Sequence, residues 1–118
     1  MVVDLRTRGL AMMAQTVQVL TARTDEVTRQ ANEMVPVQVS QIVQGQLVES
    51  TRFRKRGLSM VDRRDLQEVV RTADAIIPNV RGLAEATGAK VREVEDLMVA
   101  AEELRRRADR TLNAEYGI

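Results

Sequence analysis

A seven-residue apolar repeat runs through the first third of the chain and constrains its fold more than any other feature. Apolar or small residues recur there at alternating spacings of three and four. This spacing places them along one face of an α-helix in a heptad pattern. The segment 5–34 is therefore predicted to be one long helix, which Pro36 ends or kinks because proline lacks a backbone donor and clashes with the preceding turn. This first seam consists of Leu10, Met13, Val17, Leu20, Thr24, Val27, Ala31 and Met34.

A second heptad repeat lies near the C-terminus and predicts a second long helix over about 90–114. Glu102 with Arg106, and Glu103 with Arg107, are oppositely charged pairs four residues apart, which support a helix in the order acid before base. The repeat is typical of a helix that packs on another helix. This second seam consists of Val94, Leu97, Ala101, Leu104, Ala108 and Thr111.

The segment between the seams gives weaker signals. Over 35–50, alternating valines are typical of a strand, whereas the spacing of Val39, Ile42, Val43 and Leu47 is typical of a helix. We favour a helix with Pro36 in its first turn, and a short strand is the alternative. Further on, helical spacing over 66–77 is interrupted by Pro78, and a short helix is expected to end at a Gly88 cap.

These elements predict an all-α fold: an elongated helical bundle, similar to a coiled coil, with two long helices flanking shorter ones. The only aromatic residues are Phe53 and Tyr116, so a core built from large rings is excluded. A chain of 118 residues fits one domain, 1–118, but buries a modest fraction of its surface. Association with other chains is therefore expected to add stability.

The missing residue types argue against catalysis. The chain has no cysteine and no histidine, so thiol chemistry, thiolate metal sites and the commonest general base are excluded. The carboxylates are spread over predicted helix surfaces and there is no glycine-rich phosphate loop. We expect a non-enzymatic protein without catalytic, metal or cofactor sites. No apolar run could span a membrane and no signal peptide is apparent, so we expect it in the cytoplasm or within a protein assembly.

The two seams are the first candidate interaction site. They either form the core of a bundle within one chain or pack against helices of other chains. We favour the second interpretation, because the core of so small a chain is thin. The predicted interface residues are Leu10, Met13, Val17, Leu20, Val27, Met34, Val94, Leu97, Ala101 and Leu104.

A basic connector over 51–64 is the second candidate. It holds six basic residues against one acidic residue, whereas acidic residues are in excess on either side of it. Such a segment is either a solvated loop that pairs with acids such as Glu93, Glu95 and Asp96 of a neighbouring subunit, or a contact for phosphates, with Phe53 stacking on a base. The candidate anion-binding residues here are Arg52, Phe53, Arg54, Lys55, Arg56, Arg63 and Arg64.

Residues 80–99 resemble a helix-turn-helix unit. Leu83 lies in the first helix, Gly88 stands at the turn, and Val94 and Leu97 take the packing positions of the second helix. The resemblance implies that this second helix enters the major groove of DNA. An ordinary turn between two helices is the alternative, since acidic side chains oppose phosphate binding. The residues facing DNA would be Lys90, Val91, Arg92, Glu95 and Asp96.

Two functions follow from these features. The first is a structural or adaptor subunit that self-associates or joins another helical protein in a larger complex, such as a virion or a secretion apparatus. The second is a small DNA-binding protein that uses residues 80–99 and the basic segment 52–64. We favour the first, because the acidic second helix argues against DNA.

Overall fold

The chain contains three long helices and a β-hairpin inserted between the first two. A computed structural model describes residues 5–87 and 92–116. In chain order the elements are α1 (Leu5–Ala31), β1 (Met34–Val43), β2 (Gln46–Lys55), α2 (Met60–Thr87) and α3 (Arg92–Asn113).

The prediction of an all-α fold is wrong, because β1 and β2 pair as a two-stranded antiparallel sheet. The helix favoured over 35–50 is replaced by this hairpin, and the architecture is α+β. The prediction that the basic connector 51–64 is a loop is also wrong. Most of 51–64 belongs to β2 and to the first turns of α2.

Local chemistry explains why the hairpin forms. Val35, Val37 and Val39 are β-branched and alternate with polar or exposed positions, as strands require. Gln44 and Gly45 have φ angles of 51° and 77°, the left-handed pair that a two-residue hairpin turn needs to match the strand twist. Pro36 is tolerated because a two-stranded sheet consists only of edge strands.

The hydrophobic core lies where the three helices meet. Both seams contribute to it from within the same chain, and α2 adds a third stripe. Ala73, Ala101 and Ala108 are completely buried, so small side chains let the helices approach closely. The buried apolar residues are Val17, Val27, Ala31, Leu66, Val69, Ala73, Ile76, Val80, Val94, Leu97, Ala101, Leu104 and Ala108.

Side-chain contacts fix the direction of the helices. The hydroxyls of Thr28 and Thr111 are hydrogen-bonded at 2.7 Å, and Arg107 pairs with Asp25 at 3.1 Å, so α1 and α3 run parallel. The helix α2 runs antiparallel to both. The C-terminal ends of α1 and α3 therefore lie at the end of the bundle from which the hairpin departs.

The hairpin extends the molecule well beyond the bundle. The overall dimensions are 81 × 22 × 20 Å. A helix of the length of α1 spans about 40 Å at 1.5 Å per residue, and a ten-residue strand adds about 33 Å. Their sum approaches the long dimension, so the hairpin projects along the axis of the bundle. We call residues 34–55 the arm.

The base of the arm is tied to the bundle by backbone hydrogen bonds. The amide of Gly57 donates to the carbonyl of Ala31 at 2.9 Å, and that of Arg56 donates to the carbonyl of Glu33 at 2.8 Å. Gly57 has a φ of 78°, and a Cβ atom there would lie 3.5 Å from the Cβ of Tyr116. Tyr116 thus covers the backbone of Gly57, at the point where the chain returns from the arm to the helices.

The helix boundaries differ from prediction at two places. The first helix ends at Ala31, since Met34 already belongs to β1. Pro78 does not end the helix: α2 continues to Thr87, with the proline side chain exposed on its surface. The predicted Gly88 cap lies outside the described residues.

Ser59 and Asp62 cap the start of α2 reciprocally. The backbone amide of Ser59 donates to the side chain of Asp62 at 3.1 Å, and the backbone amide of Asp62 donates to the side chain of Ser59 at 3.0 Å.

Candidate functional site

The arm is largely exposed, with Val35, Val37 and Val39 half-buried on one face. Cross-strand partners lie on the same face of an antiparallel pair, so Val35 shares a face with Arg54, and Val37 with Arg52. Pro36 beside Phe53 lies on the opposite face. Neither strand packs extensively on any helix in the described part of the chain. An isolated two-stranded hairpin is marginally stable in water, so a second surface that covers the arm would stabilise it.

Large apolar side chains are concentrated at the tip of the arm. Ile42 and Leu47 face each other across the strands and are 78% and 68% exposed. Val43 and Val48, on the opposite face of the hairpin, are 49% and 44% exposed. We call these four residues around the Gln44–Gly45 turn the tip. Exposed apolar groups clustered in one place are typical of interaction sites.

Basic side chains lie at the other end of the arm. Arg52, Arg54 and Lys55 are exposed on β2 and make no ion pair within residues 5–87 and 92–116. Arg56 lies 3.9 Å from Glu33, at the limit of an ion pair. We call Arg52, Arg54, Lys55 and Arg56 the stem. Phe53 is 59% exposed among them, and Arg63 and Arg64 are exposed in the first turns of α2.

The predicted interface residues lie mainly inside the chain's own bundle. Val17, Val27, Val94, Leu97, Ala101 and Leu104 are buried in its core. Leu10, Met13 and Leu20 are partly buried and pack against the same core. Met34 is 58% exposed at the base of the arm. The seams therefore have partners within the monomer.

Ion pairs join the helices on the surface of the bundle. Arg105 donates to Asp74 at 2.5 Å and links α3 to α2, and this hydrogen bond raises the pKa of the guanidinium. Arg107 links α3 to α1, where its hydrogen bond to Glu103 and the charge of Asp25 raise its pKa. Exposed pairs of this kind contribute little to the free energy of unfolding, because solvent screens their charges. They orient the helices more than they stabilise them.

The helix-turn-helix resemblance covers residues that belong mainly to the bundle. Val94 and Leu97 are buried against the other helices, and α3 continues for four further turns along the core. Arg92, Glu95 and Asp96 are exposed. The turn of the motif, together with Lys90 and Val91, lies outside the described residues.

An apolar groove lies at the end of the bundle opposite the arm. It has a volume of about 530 Å³ and runs between the start of α1 and the end of α2. Gly9 and Gly82 form part of its walls, and a Cβ atom added to either would meet no atom within 4 Å. The lining residues are Gly9, Met12, Met13, Asn79, Gly82 and Leu83.

A more polar groove of about 550 Å³ lies between α1 and α3 near the base of the arm. Its charged groups are already paired with one another: Arg107 with Asp25 and Glu103, and Arg110 with Glu103. Tyr116 closes one end, its hydroxyl donating to the carbonyl of Thr111 at 2.9 Å. This groove has no charged group left without a partner for a ligand.

Comparisons with protein-family models, curated proteins and solved structures found no match. None of the helices described is long and apolar enough to cross a membrane. Over the described ranges, no group of three or more acidic side chains is placed to hold a metal ion. The arm and the opposite groove are therefore interpreted from their own geometry.

Sequence reasoning did not identify the tip. The spacing of Ile42 and Leu47 predicts a helical stripe, with a strand as the alternative for the same residues. The signal that would have found the arm is the valine alternation from Val35 to Val39 followed by the Gln44–Gly45 dipeptide. The groove had no sequence signal, because its two walls come from residues about 70 positions apart.

Proposed function

We propose that this protein is a non-enzymatic structural subunit that associates with copies of itself through the arm. The observation that carries the proposal is the cluster of exposed apolar side chains at the tip, held beyond the bundle where a neighbouring molecule can reach them. Association would not need the helical seams, which already pack within the chain.

The energetics favour this use of the arm. Complete burial of a large aliphatic side chain contributes about 1.5–3 kcal/mol, so covering Ile42 and Leu47 together offsets part of the entropy lost on association. The arm is tied to the bundle at its base, which reduces the cost of ordering it on a partner.

The test replaces both exposed tip residues with aspartate. We expect Ile42→Asp with Leu47→Asp to abolish association, because two carboxylates would have to be buried at the contact. Light scattering after size-exclusion chromatography should give several times 13.2 kDa for the wild type and 13.2 kDa for the variant. Val19→Asp is the matched control, since Val19 is 59% exposed on α1 in the bundle.

Two results would contradict the proposal. A wild-type protein that stays at 13.2 kDa over a wide concentration range does not self-associate. A tip variant that keeps the wild-type mass associates through another surface. Far-ultraviolet circular dichroism should show unchanged helicity in both variants, because neither tip residue nor Val19 contributes to the core.

Nucleic-acid binding by the stem is a second candidate function. It is supported by the cations of β2 that make no ion pair with the described residues, where Arg52 and Arg54 lie on the same face two residues apart. Such cations could contact successive phosphates with salt-dependent affinity. Fluorescence anisotropy with a short labelled duplex at low and high salt tests it. Binding lost on Arg52→Ala with Arg54→Ala, but kept on Arg23→Ala, would favour this candidate.

A further inference from the structure

We infer that one face of the arm lies in the major groove of duplex DNA. This inference rests on the second candidate function, nucleic-acid binding by the stem, and specifies the ligand and the surface that contacts it. It does not depend on self-association. Cross-strand pairing places the polar side chains of this surface, which we call the arginine face, on the same side of the hairpin: Gln41, Gln46, Ser50, Arg52 and Arg54.

The two faces of the arm differ in charge. Within residues 34–55 the arginine face carries Arg52 and Arg54 and no carboxylate. The opposite face carries Glu49, the single acidic residue of the arm, together with Lys55. A polyanion that approaches the arginine face therefore meets two positive charges and no negative one. Charge complementarity selects this face of the arm as the one that contacts phosphates.

The two arginines are available to an anion. Arg52 and Arg54 are exposed and make no ion pair with the residues that the structure describes, whereas Arg105 and Arg107 pair with acids of neighbouring helices. Their Cα atoms are about 7 Å apart along β2. Each guanidinium presents a planar fork of donors that matches the oxygens of a phosphate group. The arginine face thus offers two phosphate contacts from one strand.

The dimensions of the arm favour duplex DNA over other polyanions. Neighbouring strands lie about 4.8 Å apart, and the major groove of B-DNA, about 12 Å wide, admits a two-stranded ribbon. Ten residues extend about 33 Å, close to one turn of B-DNA. Duplex RNA is a poorer fit, because its major groove is deep and narrow.

The bundle leaves the arm free to enter a groove. Neither strand packs extensively on a described helix, and the arm projects along the long axis of the molecule. Glu93, Glu95 and Asp96 lie in the first turns of α3, at the end of the bundle opposite the arm. Since α3 is about 33 Å long, their charges are screened from the stem at physiological salt.

Polar side chains nearer the turn are placed to contact base edges. Gln41 and Gln46 are exposed on the arginine face, in neighbouring positions of that face across the two strands. A glutamine amide can bond to adenine in a bidentate manner, and valine methyl groups such as that of Val43 suit the methyl group of thymine. Phosphate contacts position a protein on DNA, whereas base contacts specify the sequence. The stem would therefore supply affinity, and the region near the turn would supply specificity.

The salt dependence of binding tests which face contacts phosphates. The probe is a labelled duplex of about two helical turns with a random central turn, and fluorescence anisotropy gives its association constant. Arg54→Ala should reduce the slope of the logarithm of this constant against the logarithm of salt concentration by about 0.9, the value for one phosphate contact. Lys55→Ala is the matched control, because it removes the same charge from the next residue and the opposite face. It should change the slope by less, and equal reductions would show that both faces contact phosphates.

Repeated selection from the same duplex pool tests contact with the bases. The wild type should enrich particular sequences in the random turn. Gln41→Ala with Gln46→Ala should lose about fivefold to a hundredfold of the discrimination between an enriched duplex and the starting pool, while keeping the salt slope. Gln38→Ala is the control, since this glutamine lies on the opposite face and donates to the hydroxyl of Thr51 at 3.1 Å. It should enrich the same sequences as the wild type.

Several outcomes separate the inference from the candidate function on which it rests. Equal affinity for duplex RNA and duplex DNA, or a selection that enriches no sequence, would show that the stem binds phosphates without insertion of the arm into a major groove. Unchanged discrimination in the double glutamine variant would likewise overturn base contact by the arginine face. A protein that binds neither duplex at low salt would remove nucleic-acid binding by the stem altogether.

Discussion

Two glycines of this chain have opposite conformational requirements. Gly57 has a φ of 78° at the base of the arm, whereas Gly82 is an ordinary helical residue in α2. A side chain in the left-handed region is strained, and a helical glycine loses more backbone entropy on folding than alanine does. The same substitution should therefore have opposite effects at the two positions.

We predict that Gly57→Ala lowers the free energy of unfolding by about 1–2 kcal/mol, through backbone strain in the left-handed region. Gly82→Ala should raise it by about 0.5–1 kcal/mol. Urea denaturation followed by circular dichroism measures both, in a tip variant so that association does not contribute. Equal effects of the same sign would refute the assignment of φ at Gly57.

The hydroxyl of Tyr116 links stability to alkaline pH. Burial raises its pKa above the usual value, and the nearby charge of Arg63 offsets part of that rise. The folded state thus keeps the phenol proton to higher pH than the unfolded chain does. This contribution to stability is complete below pH about 10 and is lost as the pH rises through the folded pKa.

Tyr116→Phe removes this titration and keeps the ring beside Gly57. Below pH 10 the wild type should be more stable than the variant by about 0.5–1.5 kcal/mol, because its hydroxyl donates to the carbonyl of Thr111. The difference should shrink above pH 10, as measured by urea denaturation across the pH range. A constant difference would mean that the phenol does not titrate differently in the folded state.

At the scale of elements, α3 is the helix that unites the bundle. It contacts both α1 and α2, and Leu104 at its centre is completely buried. Leu104→Ala should lower the free energy of unfolding by about 2–5 kcal/mol, through lost burial and a residual cavity. Val99→Ala on the same helix, where the side chain is 65% exposed, should change it by less than about 0.5 kcal/mol. Thermal denaturation of the two variants distinguishes the faces, and similar losses would place the core elsewhere.

At the scale of the whole molecule, the projecting arm makes the chain unusually extended. The radius of gyration of the Cα atoms is 21.3 Å. A compact domain of this length has a radius of about 13–14 Å. Small-angle X-ray scattering of the monomeric tip variant should therefore give a value near 21 Å and a longest dimension near 81 Å. A value near that of a compact domain would mean that the arm folds back on the helices.

Much of the helical framework could be predicted from the sequence. Among the described residues, the first helix occupies Leu5–Ala31 within the predicted 5–34 and ends three residues early, and the last helix spans Arg92–Asn113 within the predicted 90–114. Heptad spacing is a local property of the chain, and it specifies which face of each helix is apolar whatever covers that face. The same local reasoning favours a helix over 35–50, which is wrong, because the valines of this segment fit a helical stripe as well as a strand.

Tertiary structure decided the rest. The stripe over 39–47 could form a stable helix only against another helix, but this segment lies beyond the end of the bundle, where the Gln44–Gly45 turn and cross-strand pairing satisfy its backbone instead. Likewise the sequence determined that Val17, Leu97 and Leu104 face a partner. The chain reverses direction before and after α2, and these two reversals bring the two seams together. The residues that cover Val17, Leu97 and Leu104 therefore belong to the same chain. A heptad seam specifies an apolar face on a helix, and only the path of the chain determines which helix packs against that face.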